Sequence, residues 1–239
     1  MTLYVNKVSF FFEHGYILCK QLEVTIMITL HHLDQSRSLR IIWALEELGV
    51  EYDIKHYKRL ATMAAPPELK AVHPLGKSPV ITDGNFTVAE SAVILDYLQN
   101  KFDTAQKFKP KDAEDLLQYN YWMHYAEGSL MPLLVMTLVL SMVAPKVPFI
   151  VRPLANKIVD GISDGFTKPR LEDHVKFLED YLSQHEFVAG DFSFADIQMS
   201  FPLIAIQERT GGEFPQIQAY VERIQQRPAY ARAKAKSGD

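Results

Sequence analysis

At 239 residues the chain is long enough for one or two domains with full hydrophobic cores. Hydrophobic residues make up 48% and charged ones 23%, as in a soluble globular protein, and a net charge of −4 without a polybasic run gives no support to nucleic-acid binding. The single cysteine, Cys19, excludes an intramolecular disulfide and a cysteine-built zinc site, and points to a reducing, cytoplasmic setting.

Residues 1–26 hold an apolar run, Val8–Phe12, broken by Glu13 and His14, with no small-residue cleavage site behind it. A secretory signal is therefore not expected. The segment reads as an N-terminal extension outside the core fold, with Met27 as the natural start. Regular patterning begins at "MITLHHL" (27–33), a short apolar strand. A helix follows over 36–49, where Ile41, Leu45 and Leu48 share a face and Gly49 supplies the stop. "VEYDIKHY" (50–57) is a second strand, which makes a βαβ unit and hence a parallel pair. "APPELKAV" (65–72) gives one or two helical turns. "VITDGNFTVAE" (80–90) reads as a hairpin about Asp83-Gly84-Asn85, and 91–102 as a helix opening at Ser91. Residues 27–102 thus form one small β-α-β-α-β-β-α domain.

Residues 103–112 are polar, contain Pro110 and read as a linker. From 113 to 239 the pattern is all-helical. A long helix runs from about Ala113 toward Val143 with a break near Pro132, and others cover roughly 150–162, 167–184, 193–209 and 215–226. Within the first, "LMPLLVMTLVLSMV" (130–143) is shorter than the roughly 20 residues a bilayer needs and contains a proline. It reads as a buried core helix, with interfacial membrane contact as the lesser alternative. In "DFSFADI" Ser193 is an N-cap with Asp196 at N3, a capping box that assigns Asp196 a structural role. The basic tail "RPAYARAKAK" reads as solvated. No metal site is expected, since the adjacent His31 and His32 do not place two ligands on one face.

The order of elements, together with "HPLGKSP", "ESAVILDYL", "FVAGDFSFADI" and "FPQIQAYVERIQQRPAYARA", resembles the glutathione transferases over about 27–230. The segments "LDQSR" and "APPELKAVHPLG" are similar to a serine-type, fungal and bacterial branch. The resemblance implies a thioredoxin-like domain followed by a helical bundle, glutathione as co-substrate, and a homodimer of the detoxification type. It also implies that Pro79 is cis and starts a strand instead of interrupting one, leaving the backbone of Ser78 free to bond a peptide in β fashion.

Within that resemblance, Ser91 at the opening of a helix can hold the γ-glutamyl carboxylate, Glu90 can pair with the α-amine, and Lys77 can reach the peptide. The thiol, with an ordinary pKa of about 8.5, must be held as thiolate. Ser36 matches the family's activating serine, with Arg37, Ser38 or a backbone amide as alternatives. Tyr121, His124 and Tyr125, one stripe on the long helix, are candidates for the second-substrate wall, or else for core or dimer packing. A hydrophobic electrophile is expected. Isomerisation, dehalogenation, ether cleavage and non-catalytic binding remain open on the same fold.

Overall fold

The computed structural model describes residues 8–13, 16–21 and 27–238. Strands β1 (Val8–Glu13) and β2 (Tyr16–Gln21) pair antiparallel in a sheet of their own. The remainder of the 1–26 extension lies outside the described residues.

The main sheet has the order β4-β3-β5-β6. Strand β3 (Ile28–Leu33) is central and buried at five of its six positions, both histidines included. It runs parallel to β4 (Tyr52–Tyr57) across helix α1 (Leu39–Leu48), so the expected βαβ unit is present. Gly49 ends α1 in the left-handed conformation, φ 66°, donating to the Leu45 carbonyl. Helix α2 (Pro67–Val72) leads to β5 (Val80–Asp83), antiparallel to β3. A two-residue loop with Gly84 at φ 59° then returns the chain as β6 (Phe86–Ala89) into α3 (Ser91–Phe102).

The second half is helical. Helix α4 (Ala113–Tyr125) starts on Asp112, whose carboxylate accepts the Glu114 N–H at 2.9 Å. A π-turn at Ala126–Leu130 joins it to α5 (Met131–Ser141) and α6 (Val143–Lys146), so Ala113–Lys146 is one helical rod of 34 residues. The expected break at Pro132 is this wider turn just ahead of it, which accommodates a residue that has no N–H to give. Then come α7 (Arg152–Ile162), a second π-turn (Ser163–Thr167), α8 (Lys168–Leu182), α9 (Phe194–Thr210), α10 (Pro215–Gln225) and α11 (Pro228–Ser237). One apolar cluster runs through both halves, from Leu30 and Ile41 to Trp122, Phe194 and Ile224.

The Ser193–Asp196 capping box is present, and Asp196 is fully buried. Its carboxylate accepts from the Val188 and Ser193 amides at 3.0 and 2.7 Å and from the Tyr220 hydroxyl at 2.6 Å, which makes it a structural hub.

Two expectations are overturned. Residues 130–143 are not a core helix: Leu130, Met131 and Leu134 are buried, while Val135, Met136, Leu138, Val139, Met142 and Val143 are exposed. Apolar composition specifies a wish for cover, not the element that provides it, and the bundle covers only one side of α5. The basic tail is not simply solvated. It is α11, packed on α1 through buried Ala229, Ala233 and Ser237, small residues at i, i+4, i+8 that let the two backbones approach.

The tail's charges close that joint. Arg227 forks onto Glu47 at 2.6 and 2.9 Å, while Glu46 accepts from Arg232 (2.7 Å), Lys236 (2.5 Å) and the Tyr52 hydroxyl (2.7 Å). Burial alone would raise the Glu46 carboxyl, but the bonds from Lys236, Tyr52 and Arg232 outweigh it and hold the group below the ordinary carboxylate range. Its stabilising effect is therefore complete at neutral pH and is lost as the pH falls through that depressed value. Glu46→Gln is expected to cost about 2 kcal/mol at neutral pH. In urea melts across the acid range, the gap from wild type should close as the pH drops.

Candidate active site

The first helix does not open at Ser36. Residues 34–38 form a tight turn with Gln35 at φ 52°, and Ser38 occupies the cap position of α1. Ser36 sits half-buried ahead of the helix. Its Oγ accepts the Ser38 N–H at 3.3 Å, lies 2.7 Å from Ser38 Oγ and donates to Ser78 Oγ at 3.3 Å. Ser38 is fully buried, with its Oγ 2.7 Å from His32 Nδ1. One proton assignment satisfies this row: His32 donates from Nδ1 to Ser38, Ser38 donates to Ser36, and Ser36 donates outward.

The Ser78–Pro79 peptide bond is cis. The β3–β5 ladder ends at His31↔Val80, so Pro79 lies past its last pair. The Ser78 hydroxyl continues the pairing in place of a backbone group, donating to the His31 carbonyl at 2.9 Å and accepting the Leu33 N–H at 3.2 Å. The strand end is thereby tied by a side chain. That role of the Ser78 side chain has no signature in the sequence.

At α3 the cap position is Glu90, not Ser91. Glu90 has φ 72° and ψ 126°, a sparsely allowed conformation for a residue with a side chain, of the kind that concentrates at binding sites. Ser91 is buried as the first helical residue, and its Oγ accepts from Arg40 Nη2 at 3.1 Å. Arg40 escaped notice in the sequence because it is flanked by the apolar stripe of α1. It is 2% exposed and joins three elements, donating to Ser91, to the Gln198 carbonyl (2.8 Å) and to Glu127 Oε1 (2.6 Å). Burial lowers its pKa, and Glu127 opposes that shift. Arg37 forms a second ion pair with Glu127 at 3.2 Å.

Ser36, Lys77, Ser78, Pro79, Glu90 and Ser91 all open onto one cavity of about 470 Å³. Arg37, Glu127 and Arg59 also line it; Arg59 bonds the Asp34 and Gln35 carbonyls at 2.9 and 3.1 Å, fixing the turn that carries Ser36. The opposite wall is apolar: Met131, Val135 and Leu138 of α5, with Phe201 of α9. Tyr121, His124 and Tyr125 are not brought there. They line a separate depression with Leu117 and Gly128, because Tyr125 and Glu127 are two positions apart and point to opposite sides of the helix. Tyr125 is buried, bonded to His174 at 2.5 Å and stacked on Tyr121.

These features define a thioredoxin-like domain closed by a helical domain, with a cleft between them that is polar on one side and apolar on the other. The family described as "Glutathione S-transferase, N-terminal domain" matches residues 26–100. The chain is 37% identical over 223 residues to Glutathione S-transferase 1 of Saccharomyces cerevisiae, covering 88% of this chain and 95% of that protein. A glutathione S-transferase crystal structure from Actinobacillus pleuropneumoniae shares 32% identity and a TM-score of 0.71, over 89% of this chain and 93% of that one. The glutathione transferase URE2P8 of Phanerochaete chrysosporium, solved with oxidized glutathione, has the same fold, with 19% identity and a TM-score of 0.70 over 90% of this chain and 96% of that one. The chain belongs to the glutathione S-transferase family.

Proposed function

We propose that this protein is a serine-type glutathione transferase that conjugates the glutathione thiolate to hydrophobic electrophilic small molecules, a detoxification reaction, as a homodimer in the cytoplasm. The observation that carries the reading is the convergence of Ser36, the Ser78–Pro79 corner and the start of α3 on one cavity. Residues 27–102 supply the glutathione half. The backbone of Ser78 takes the cysteinyl part of the peptide, the α3 N-terminus with Ser91 takes the γ-glutamyl carboxylate, and Glu90 takes the α-amine. Lys77, on the cavity rim, reaches the peptide from the solvent side. Ser36 donates to the sulfur and favours its anion. The sulfur attacks the electrophilic carbon, an S–C bond forms, and the leaving group departs with its electron pair.

The apolar wall of Met131, Val135, Leu138 and Phe201 supports a greasy second substrate. Tyr121, with exposed Leu117, Phe86 and Val93, fits the alternative reading of its stripe, packing between subunits.

Calorimetric titration with glutathione tests the site. Wild type should bind, and Ser91→Ala should weaken binding about ten-fold, the loss of one hydrogen bond to a charged group. A wild type that takes up no glutathione would refute the proposal. A screen against halonitroarenes, peroxides, epoxides and aryl ethers separates conjugation from the other reactions of this fold.

A further inference from the structure

Helices α6 and α7 contain no buried residue. Yet Val151, Leu154, Ile158, Ile162 and Phe166 recur at spacings of three and four along α7 and the π-turn behind it, and every one is exposed. Ahead of them Phe149 and Ile150 are 78% and 75% exposed. An apolar stripe on a helix normally faces a core, and a contiguous exposed one marks a contact surface. Here the stripe belongs to the same part of the chain as the uncovered outer positions of α5.

The charge around it narrows the occupant. The segment 143–162 carries Lys146, Arg152 and Lys157 against Asp160, a local charge of +2 in a chain of −4. Lys146 and Arg152 flank the Phe149–Ile150 tip. Asp164, in the π-turn behind α7, pairs with Lys168 at 3.9 Å, so the two cancel. A twofold dimer through this face would set a basic patch against its own copy, a repulsive arrangement. An anionic lipid surface satisfies both features, since it takes apolar side chains at the acyl boundary and cations at the headgroups.

We propose that the α6–α7 segment, tipped by Phe149 and Ile150, docks the protein on the anionic cytoplasmic face of a membrane. It lies on the bilayer and does not cross it. The rod Ala113–Lys146 is long and apolar enough to cross by length and composition, but its first half is committed to the bundle through buried Tyr119, Trp122 and Met123, and Glu127 is bonded to Arg40.

Flotation of the full chain with vesicles tests this, using phosphatidylcholine alone and an equimolar mixture with phosphatidylserine. Wild type should float with the mixed vesicles and only weakly with phosphatidylcholine. The double variant Phe149→Ser/Ile150→Ser should lower the bound fraction at least about ten-fold, with glutathione conjugation and thermal melting unchanged. Lys146→Glu/Arg152→Glu should erase the preference for phosphatidylserine while keeping the fold. Wild type that stays at the bottom of the gradient with mixed vesicles overturns the proposal. So does a serine double variant that floats like wild type. A third contrary outcome is a serine double variant that splits a wild-type oligomer in light scattering with no lipid binding by either protein, which would assign the face to a second copy.

Discussion

Ser36→Ala should lower kcat/KM for conjugation about 10²–10³-fold, the usual loss when one well-placed donor to a developing or resident anion is removed. The same change should raise the thiol pKa of bound glutathione, visible as loss of thiolate ultraviolet absorbance at neutral pH. The direction follows from the proton inventory. Ser36 has a single hydrogen, and its Oγ already accepts the Ser38 amide at 3.3 Å and lies 2.7 Å from Ser38 Oγ. With His32 donating to Ser38 and Ser38 donating to Ser36, the hydrogen on Ser36 is left to point toward Ser78 or a sulfur. Ser38→Ala should accordingly raise the thiol pKa by a smaller amount, because Ser36 keeps its hydrogen and loses only its orientation. An absorbance titration that does not move in Ser36→Ala would shift thiol activation to Arg37 or a backbone amide.

Arg40→Ala should destabilise the fold by about 3–5 kcal/mol, the range for removing one partner from a buried charged network. The guanidinium is 2% exposed and reaches α3, the π-turn after α4, and α9 at once. Its loss leaves a void together with an unpaired Gln198 carbonyl, and leaves Glu127 with only the half-exposed Arg37. Urea denaturation reads the stability. Calorimetry on the surviving folded protein should also show weaker glutathione binding, because Ser91 loses the contact that holds its hydroxyl. Arg40→Lys should not restore it, since one ammonium cannot span three acceptors in fixed directions. Wild-type stability in Arg40→Ala would show that the network contributes nothing net.

The thioredoxin-like half was readable because its signals are local. A short apolar run marks β3, the i, i+4, i+7 row and Gly49 mark α1, and Gly84 marks the hairpin. Pro79 and Ser91 were readable for the same reason, each being tied to one corner of the chain. What the sequence hid is long-range. Arg40 meets Gln198 across 158 positions, and Arg232 meets Glu46 across 186; neither partner is implied by any local pattern. The apolar side of the cavity was not foreseen, because an aromatic run draws attention while "MPLLVMTL" looks like ordinary core. Which side of a uniformly apolar helix meets solvent depends on how much of it the rest of the bundle reaches.

The π-turn at Ala126–Leu130 bears on how such an enzyme could change its taste in substrates. A π-turn holds about one residue more than an α-turn. Deleting that extra residue would close the turn to an ordinary α-turn and leave α5 facing as it does, whereas deleting a residue from the regular part of α4 would rotate everything beyond it by about 100°. In the second case Met131, Val135 and Leu138 would leave the cavity together, and a neighbouring row of α5 would take their place, while the lining positions from residues 27–102 stayed where they were. The makeup of the apolar wall is thus adjustable in discrete clicks of one helix, independently of the polar side of the cavity.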